Sequence, residues 1–365
     1  MKILKLPSGG RKRVAPFAYE MIGEWLYFCD LNLPGLFRYH FEKEICECVI
    51  HFSNKYINKN FFKMHVYEDE LWLLPFLDGA LVCFNIQTKE IFYYDIPENV
   101  RENRIPFIGM FFSEKKGFIL PHGNNSFLIK VDLVTHQMEE IELFNVKDEN
   151  NMVFFSEAVQ IKNIIYLFEG SENTIFLFDM NNNEIRTINA EGHQLKNREV
   201  GVIGNKIFFF PWDINANLVI YDICKKVFFE KEYPIKGLPK EEECAVVLVN
   251  KEIWILANKK KKIYQLDQDL KIKSIFSILD FNKNEKIAYI SGRVVEDRAF
   301  FYGHDGTPLI QIKDGDVKII DINKNVLELF IEIVNHTCDV CYGKLEGLEI
   351  GKLTYENLKG NTASL

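Results

Sequence analysis

Hydrophobic and polar positions along this chain form a unit that recurs every 43 to 47 residues. Each unit contains an apolar run, a polar turn and a second apolar run, as in residues 72–75, 76–79 and 80–85, and a further turn and an outer strand follow. The second runs end at seven anchors, which are His40, Asn85, Asp132, Asp179, Asp222, Asp267 and Lys313. Four short strands per unit, joined by hairpin turns, are typical of a propeller blade. The pattern predicts an all-β fold, a seven-bladed β-propeller of four-stranded blades.

The repeat predicts one large domain, because a closed ring lets each blade bury its faces against its neighbours. We assign residues 1–322 to the propeller, with blades at 15–50, 61–96, 107–142, 153–189, 198–233, 243–278 and 288–322. Residues 1–7 alternate like a strand and are a candidate for closing the ring at blade seven. Residues 323–365 fit no blade, and their apolar residues at helical spacing predict a short helical C-terminal tail.

Composition and charge narrow the choice of partners. Hydrophobic residues make up 47% of the 365 residues and aromatic residues 14%, which suits broad packing between blades. The formal net charge of −8 argues against a general electrostatic affinity for nucleic acid or for an anionic membrane. We therefore expect neither nucleic acid nor membrane as a partner.

The chain lacks the features of secreted and membrane-spanning proteins. No apolar run approaches the roughly 18 residues of a membrane span, and the first residues lack the apolar core of a secretory signal. We therefore expect a cytoplasmic location. Six of the eight cysteines fall within or at the ends of predicted strands, where they are interpreted as small core residues: Cys29, Cys46, Cys48, Cys83, Cys224 and Cys244.

The repeat also resembles that of the Kelch-like propellers. Residues 71–91 follow the Kelch order of apolar strand, turn, strand ending in an aromatic residue and Asn85, polar turn and aromatic outer strand. Phe178 with Asp179 and Tyr221 with Asp222 repeat the ending, whereas the Gly-Gly pair of the Kelch repeat is absent. The resemblance implies a degenerate member of this class, with its fold and its habit of binding other molecules.

The innermost strand of each propeller blade lines the central channel, so its polar residues are candidates for function. Aligned repeats place one column near the start of these strands: Ala18, Lys63, Gly109, Glu157, Glu199, Ala245 and Ser291. Two residues on, the same face carries Glu20, His65, Phe111, Val159, Gly201, Val247 and Arg293. Buried charges require partners or water. A solvated ion network, a binding pocket and a catalytic site all remain open for this channel.

The loops that follow the second strands should share a face with the channel mouth. Phe76 near Asp78 and Trp212 beside Asp213 combine an aromatic ring with hydrogen-bonding groups, which suits a peptide or sugar surface but also an ordinary turn. The candidate ligand-binding residues are Lys63, His65, Phe76, Glu157, Glu199, Trp212 and Arg293.

Two functions fit this face. The first hypothesis is a non-catalytic scaffold that binds a protein or peptide. The alternative is a glycan- or small-molecule-processing enzyme, a hydrolase or lyase, with Glu157 and Glu199 as acid and base and His65 or Arg293 orienting the substrate. Signatures of phosphate loops, nucleophile elbows and zinc helices are absent from the sequence, so we assign no catalytic residue and expect no cofactor.

One short motif has the spacing of metal ligands. His336, Cys338 and Cys341 could supply three ligands to one ion, but no second Cys-x-x-Cys pair follows. Ordinary reduced cysteines, a partial metal site and a redox pair are the three interpretations, and the sequence leads us to predict no metal site.

Overall fold

The computed structural model describes most of the predicted propeller. The described residues are 2–5, 16–30, 35–52, 61–75, 80–97, 107–124, 127–143, 154–169, 173–190, 192–195, 197–211, 213–239, 242–279, 289–303, 308–320 and 322. The predicted helical tail and its motif of His336, Cys338 and Cys341 lie outside these residues.

Thirty strands form the described part, and their bounds follow the chain. Strand β1 (Lys2–Lys5) comes first, and blade one contains β2 (Pro16–Ile22), β3 (Trp25–Asp30), β4 (Gly35–His40) and β5 (Ile45–His51). Blade two contains β6 (Phe61–Tyr67), β7 (Glu70–Pro75), β8 (Ala80–Asn85) and β9 (Ile91–Asp95). Blade three contains β10 (Phe107–Ser113), β11 (Lys116–Pro121), β13 (Phe127–Asp132) and β14 (Met138–Glu142), and the short β12 (Gly123–Asn124) interrupts it.

The remaining four blades repeat this arrangement. Blade four contains β15 (Phe154–Ile161), β16 (Ile164–Glu169), β17 (Thr174–Asp179) and β18 (Glu184–Asn189). Blade five contains β19 (Asn197–Ile203), β20 (Lys206–Pro211), β21 (Leu218–Asp222) and β22 (Val227–Lys231). Blade six contains β23 (Cys244–Val249), β24 (Glu252–Ala257), β25 (Lys262–Leu266) and β26 (Ile272–Leu279). Blade seven contains β27 (Tyr289–Val295), β28 (Arg298–Gly303), β29 (Leu309–Lys313) and β30 (Asp316–Ile320).

In the described residues, seven sheets each contain four antiparallel strands of one blade, and two of these sheets gain a fifth strand, β1 or β12. The predicted all-β, seven-bladed propeller is therefore confirmed. Strand β12 adds to the inner edge of blade four by pairing with β15. Among the residues that the structure describes, none forms a helix of the length and apolar character that crossing a bilayer requires.

The N-terminal strand occupies a different blade from the one expected. The sequence suggested residues 1–7 for blade seven, but β1 pairs in parallel with β26, the outermost strand of blade six. Strand β26 has eight residues and β30 only five. Strand β1 pairs with residues 276–279 and thereby covers this part of the outer edge of blade six.

The burial of the strands follows from the ring. The second strand of a blade is buried on both faces, as in β7 and β16, because the neighbouring blades cover both sides. The outermost strand is more exposed, as in β14, and in β30 exposed and less exposed positions alternate, because its outer face meets solvent. This explains why the second strands are continuous apolar runs in the sequence.

Seven hydrophobic clusters hold the blades together, one between each pair of neighbours. The cluster between blades one and seven closes the ring: the rings of Tyr19 and Phe300 lie 5.6 Å apart, and Phe41 stacks on Phe300 at 6.0 Å. Burial of one such side chain stabilises the fold by about 1.5–3 kcal/mol. Arg298 of blade seven adds an ion pair of 3.1 Å with Glu24 of blade one.

Candidate functional site

The inner strands of six blades carry a β-bulge at the same place. In blades one to five and in blade seven, the ladder between the first two strands skips one residue near its start, whereas the ladder of blade six is regular. A bulge redirects the side chain that follows it. The residues directly after the bulges are Ala18, Lys63, Gly109, Glu157, Glu199 and Ser291. The sequence placed these same residues in the channel column.

Arg293 spans the channel from blade seven to blades one and two. Its Nη2 atom forms an ion pair of 3.2 Å with Glu20 and also donates a hydrogen bond to the backbone carbonyl of Met64. The guanidinium carbon lies 5.7 Å from the centre of the Tyr19 ring. Blade one lies between blades seven and two. The side chain of Arg293 therefore reaches across the channel to contact Met64.

A second contact passes over blade six. The hydroxyl of Ser291 in blade seven donates a hydrogen bond of 2.5 Å to Glu199 Oε1 in blade five. The column residue of blade six between them is Ala245, which is fully buried. Its small side chain leaves the space through which the two neighbouring blades meet.

Lys63 and Glu157 bring opposite charges to the same cavity. Burial lowers the pKa of the Lys63 ammonium, and the nearby Glu157 carboxylate opposes this shift. Burial raises the pKa of Glu157, and Lys63 opposes it in turn. The charge of Arg293 also lowers the pKa of Lys63, and the charge of Glu199 raises it. Side chains from blades two, four, five and seven therefore share one electrostatic environment, and we call Glu20, Lys63, Glu157, Glu199, Ser291 and Arg293 the channel cluster.

Glu20 titrates near neutral pH. Burial raises its pKa to about 7, although Arg293 favours the charged form. Only 11% of its side chain is exposed. Near neutral pH, this carboxyl can therefore act as an acceptor or a donor of a proton.

His65 supplies a neutral imidazole to the channel. Burial, then Arg293 and Lys63, hold its pKa well below the usual range. The Nε2 atom of His65, the Tyr19 hydroxyl and the Nη1 atom of Arg293 are buried without a hydrogen-bond partner within the described residues. Buried polar groups usually have a protein, water or ligand partner, so these atoms leave capacity for one.

Two further side chains, Tyr302 and His122, share this electrostatic environment; the sequence placed His122 in a loop of the channel-mouth face, whereas it did not single out Tyr302. Burial, followed by the charge of Glu199, raises the pKa of Tyr302 to about 12. Burial and then Lys63 lower the pKa of His122, which lies at the mouth. Tyr302 is an aromatic residue in the apolar strand β28, so its sequence context was that of a core residue. Its cross-strand pairing with Ser291 was the available signal.

Five of the seven candidate residues lie in the described part: Lys63, His65, Glu157, Glu199 and Arg293. They come together through the shared electrostatics and cross-blade contacts given above. Phe76 and Trp212 lie outside the described residues. Phe76 directly follows β7, and Trp212 directly follows β20. The last residues of β7 and β20 pair with Phe61 and Asn197, which are the first residues of the inner strands β6 and β19.

A second polar group lies outside the channel, between blades two and three. Ligand atoms of Glu70, Cys83 and His136 lie within 4.8 Å of one another, and the described residues contain no other such group. Burial and then Glu70 raise the pKa of the Cys83 thiol far above its usual range. The sequence analysis missed this group because Cys83 was interpreted as a core residue and because 66 positions separate Glu70 from His136.

No protein-family model matches the chain, and no curated protein sequence matches it either. Similarity to solved structures therefore concerns the fold alone.

Three solved β-propellers illustrate this similarity. Streptogramin B lyase is 10% identical with a TM-score of 0.60, covering 84% of this chain and 94% of that chain. The extracellular domain of a protein assigned to a hybrid two-component system of B. thetaiotaomicron is 11% identical with a TM-score of 0.59, covering 84% of this chain but 41% of that one. A chain of a mitotic checkpoint complex is 7% identical with a TM-score of 0.52, covering 87% and 94%. An enzyme, a sensor domain and a protein assembly thus use this architecture.

Proposed function

We propose that this protein is a non-catalytic recognition protein, whose channel-mouth face binds a peptide segment of a protein partner. The observation that carries the proposal is the convergence of charged side chains from five blades on one partly accessible channel. Arg293, Glu20 and Lys63 belong to this set, and their cross-blade contacts fix it in place. Folding has already removed much of their water, so a ligand meets polar groups that are held in position.

The partners of the carboxylates favour binding over catalysis. Glu199 accepts a hydrogen bond from Ser291, and Glu20 forms an ion pair with Arg293. Glu157 lies beside the Lys63 ammonium. A general acid or base must be able to reach substrate, and these three groups are already engaged with neighbouring side chains.

A peptide fits the mixture of charges in the channel. Peptides offer amide donors and carbonyl acceptors together with occasional carboxylates, and the channel offers groups of both signs. The buried polar atoms of His65, Tyr19 and Arg293 provide further hydrogen-bonding capacity. We propose that Phe76 and Trp212 flank the mouth and contact apolar side chains of the same segment. We also propose that the propeller is of the Kelch-like class and that the protein is located in the cytoplasm.

Selection of binding peptides tests the proposal. A displayed library of random peptides is selected on the immobilised native protein and counter-selected on the variant Lys63→Ala/Glu157→Ala/Glu199→Ala. Dissociation constants of the enriched peptides are then measured for the native protein, for the variant and for Lys236→Ala. Lys236 pairs with Glu232 on the surface and its side chain is 79% exposed, so it serves as the control.

We expect at least a tenfold loss of affinity in the triple variant and none in Lys236→Ala. Glu199→Gln provides a milder test, because the amide oxygen still accepts from Ser291 while the charge is lost. Peptides that bind the folded triple variant with native affinity would contradict the proposal, and so would the failure of any peptide to enrich.

Catalysis on a glycan or another small molecule is the second candidate function. The pKa of Glu20 near 7 and the raised pKa of Glu157 favour it, because a general acid works best when its pKa is close to the ambient pH. A panel of glycans and small cyclic esters is incubated with the protein and analysed by mass spectrometry. A turnover that falls at both acid and alkaline pH and is lost in Glu157→Gln would replace the binding proposal.

A further inference from the structure

The outer cluster of blade two, defined as Glu70, Cys83 and His136, shares no residue with the channel cluster and plays no part in the proposed function. Cys83 is fully buried, whereas the side chains of Glu70 and His136 keep 16% and 18% of their surface exposed. A small ion can therefore reach the cluster from solvent. The ligands of a tetrahedral zinc ion lie roughly 3.5 Å apart, and small side-chain rotations bring three atoms within 4.8 Å to that spacing.

The turn that presents His136 occurs in several blades. Equivalent turns occupy residues 85–89, 132–136, 179–183 and 222–226, and in each the last amide donates to the first carbonyl. The last residue has a positive φ in all four: Lys89, His136, Asn183 and Lys226. Because lysine and asparagine meet the backbone requirement elsewhere, the turn does not explain the imidazole. Of these four turns, the one in blade three is the one that ends in an imidazole, and His136 contacts Glu70 of the neighbouring blade.

The hydrogen bonds around the cluster resemble the outer shell of a metal site. His136 Nε2 lies 2.8 Å from Glu70 Oε1, and His136 Nδ1 is hydrogen-bonded to the Tyr94 hydroxyl. Trp72 Nε1 donates to the other oxygen of Glu70 at 3.2 Å. A ligating histidine usually binds the metal through one nitrogen and donates from the other to a fixed acceptor. Tyr94 and Trp72 leave Nε2 and Oε1 facing Cys83.

Blade six shows what the same positions look like without metal-ligating donors. Glu252 occupies the place of Glu70, since each begins the second strand two residues before a tryptophan. Gln265 lies opposite Trp254, as Cys83 lies opposite Trp72. The Gln265 amide donates a hydrogen bond of 2.9 Å to Glu252, and the ammonium of Lys273 donates a second one. The amide and the ammonium give each oxygen of the Glu252 carboxylate one donor. Blade two has a thiol and an imidazole there instead, and both are metal ligands.

The combination of ligand types selects the ion. Calcium and magnesium prefer oxygen ligands, whereas one thiolate, one imidazole and one carboxylate suit zinc. We propose that Glu70, Cys83 and His136 bind one zinc ion, with water as the fourth ligand, and that the ion cross-links blades two and three. On binding, the Cys83 thiol releases its proton to solvent and its sulfur forms the bond to zinc, with no change of oxidation state.

Metal titration of the full-length protein tests this site. Zinc binding is measured by calorimetry, and cobalt is added in a parallel titration as a spectroscopic probe, because thiolate ligation gives a characteristic absorption. The variants are Cys83→Ala and His136→Gln. Glu252→Gln and Cys244→Ala are the matched controls from blade six, and Cys338→Ala/Cys341→Ala removes the thiols of the tail motif. Circular dichroism establishes that each variant is folded.

We expect one zinc ion per chain to bind at the outer cluster, and we expect the thiolate–cobalt absorption to disappear in Cys83→Ala. The three control variants should keep both the zinc binding and the cobalt absorption. Tyr94→Phe should bind zinc roughly 10- to 100-fold more weakly, because it removes an outer-shell partner of the histidine. If the native protein binds no zinc, the cluster is a closed hydrogen-bond network and the proposal is wrong. Zinc binding that survives in Cys83→Ala but is lost with the tail thiols would overturn it equally.

Discussion

The channel cluster and the outer cluster of blade two are both polar groups inside an apolar ring, but they are assembled differently. The channel cluster draws side chains from five blades, and its contacts pass over whole blades, as from Arg293 to Met64. The outer cluster joins two neighbouring blades through a single turn residue, His136. The first contains ammonium, guanidinium and carboxylate groups, whereas the second contains a thiol and an imidazole.

This difference shows how one repeat supports two kinds of site. Radial repetition brings equivalent positions of every blade to the axis, so single charged residues far apart in sequence meet there. Away from the axis, a residue meets only its own blade and the next, so a site requires a specific pair of neighbours. We expect removal of a charge from the channel to lower the free energy of unfolding. We expect zinc to raise this free energy through the outer cluster.

The largest effect should come from removing the cation that crosses the channel. Arg293→Met leaves the buried Glu20 carboxyl without its partner and removes the hydrogen bond to the Met64 carbonyl, which together should cost about 3–4 kcal/mol at pH 8. At pH 5 the loss should be smaller, because Glu20 is then protonated. Urea unfolding at both pH values measures the difference. Arg186→Met, whose exposed pair with Glu184 contributes at most about 1 kcal/mol, is the control.

Restoration in the double variant Arg293→Met/Glu20→Gln would support the pairing, since it removes both charges together. An equal loss for Arg293→Met at pH 5 and pH 8 would contradict it.

The second effect concerns the pH dependence of stability. The folded-state pKa of Glu20, about 7, is higher than the ordinary 4.5, so the folded state binds more protons than the unfolded state between these values. Its contribution is therefore present below about pH 4.5 and is lost as the pH rises through 7, by roughly 3 kcal/mol. Glu20→Gln should lack this contribution, whatever its absolute stability.

The measurement is the unfolding free energy of native protein and Glu20→Gln from pH 4.5 to 8. Glu139→Gln, in an exposed pair with Lys130, should retain the native slope. Parallel curves for native protein and Glu20→Gln would show that Glu20 has an ordinary pKa.

The third effect belongs to the outer cluster and separates it from the channel. Zinc at about 100 times its dissociation constant should raise the unfolding free energy by about 2.7 kcal/mol. Arg293→Met should keep this gain, because the channel and the outer cluster share no residue, whereas Cys83→Ala should lose it. Thermal unfolding with zinc and with a chelator measures it. A gain of the same size in Cys83→Ala would place the ion elsewhere.

The smallest effect tests the contact that passes over blade six. Ser291→Ala removes the hydroxyl that donates to Glu199 and should cost about 1 kcal/mol, because water from the channel can replace it. Ser156→Ala, which removes a hydroxyl bonded to the backbone of Phe168 in blade four, should cost no more. Unfolding in urea compares the two. A loss above 3 kcal/mol in Ser291→Ala would mean that water does not reach Glu199.

Much of the channel followed from the repeat. Lys63, Glu157 and Glu199 were placed in one column because aligned repeats occupy equivalent places around the axis, and they share one electrostatic environment in the structure. The crossing of Arg293 to Met64 could not be predicted, since the reach of a side chain depends on the channel width and on the small residues around it. The bulges were not predicted either, although each one sets the direction of the channel residue that follows it.

The outer cluster had only faint signals in the sequence. Alignment of the turns shows His136 where other blades have lysine or asparagine, but nothing in the sequence says that its ring turns toward Glu70. The N-terminal strand was assigned to the wrong blade for a similar reason. Alternation predicted a strand, but each blade offers an outer edge, and only the tertiary structure shows that β1 pairs with β26.

Hydrophobic periodicity and turn residues are local properties of the chain, and they were enough to predict seven blades of four strands and the column that contains Lys63, Glu157 and Glu199. The tertiary structure alone decided which charged groups become partners across the channel, and that Glu70, Cys83 and His136 meet between two blades. Those contacts depend on the curvature of the closed ring and on side-chain directions, which arise only when all seven blades pack together.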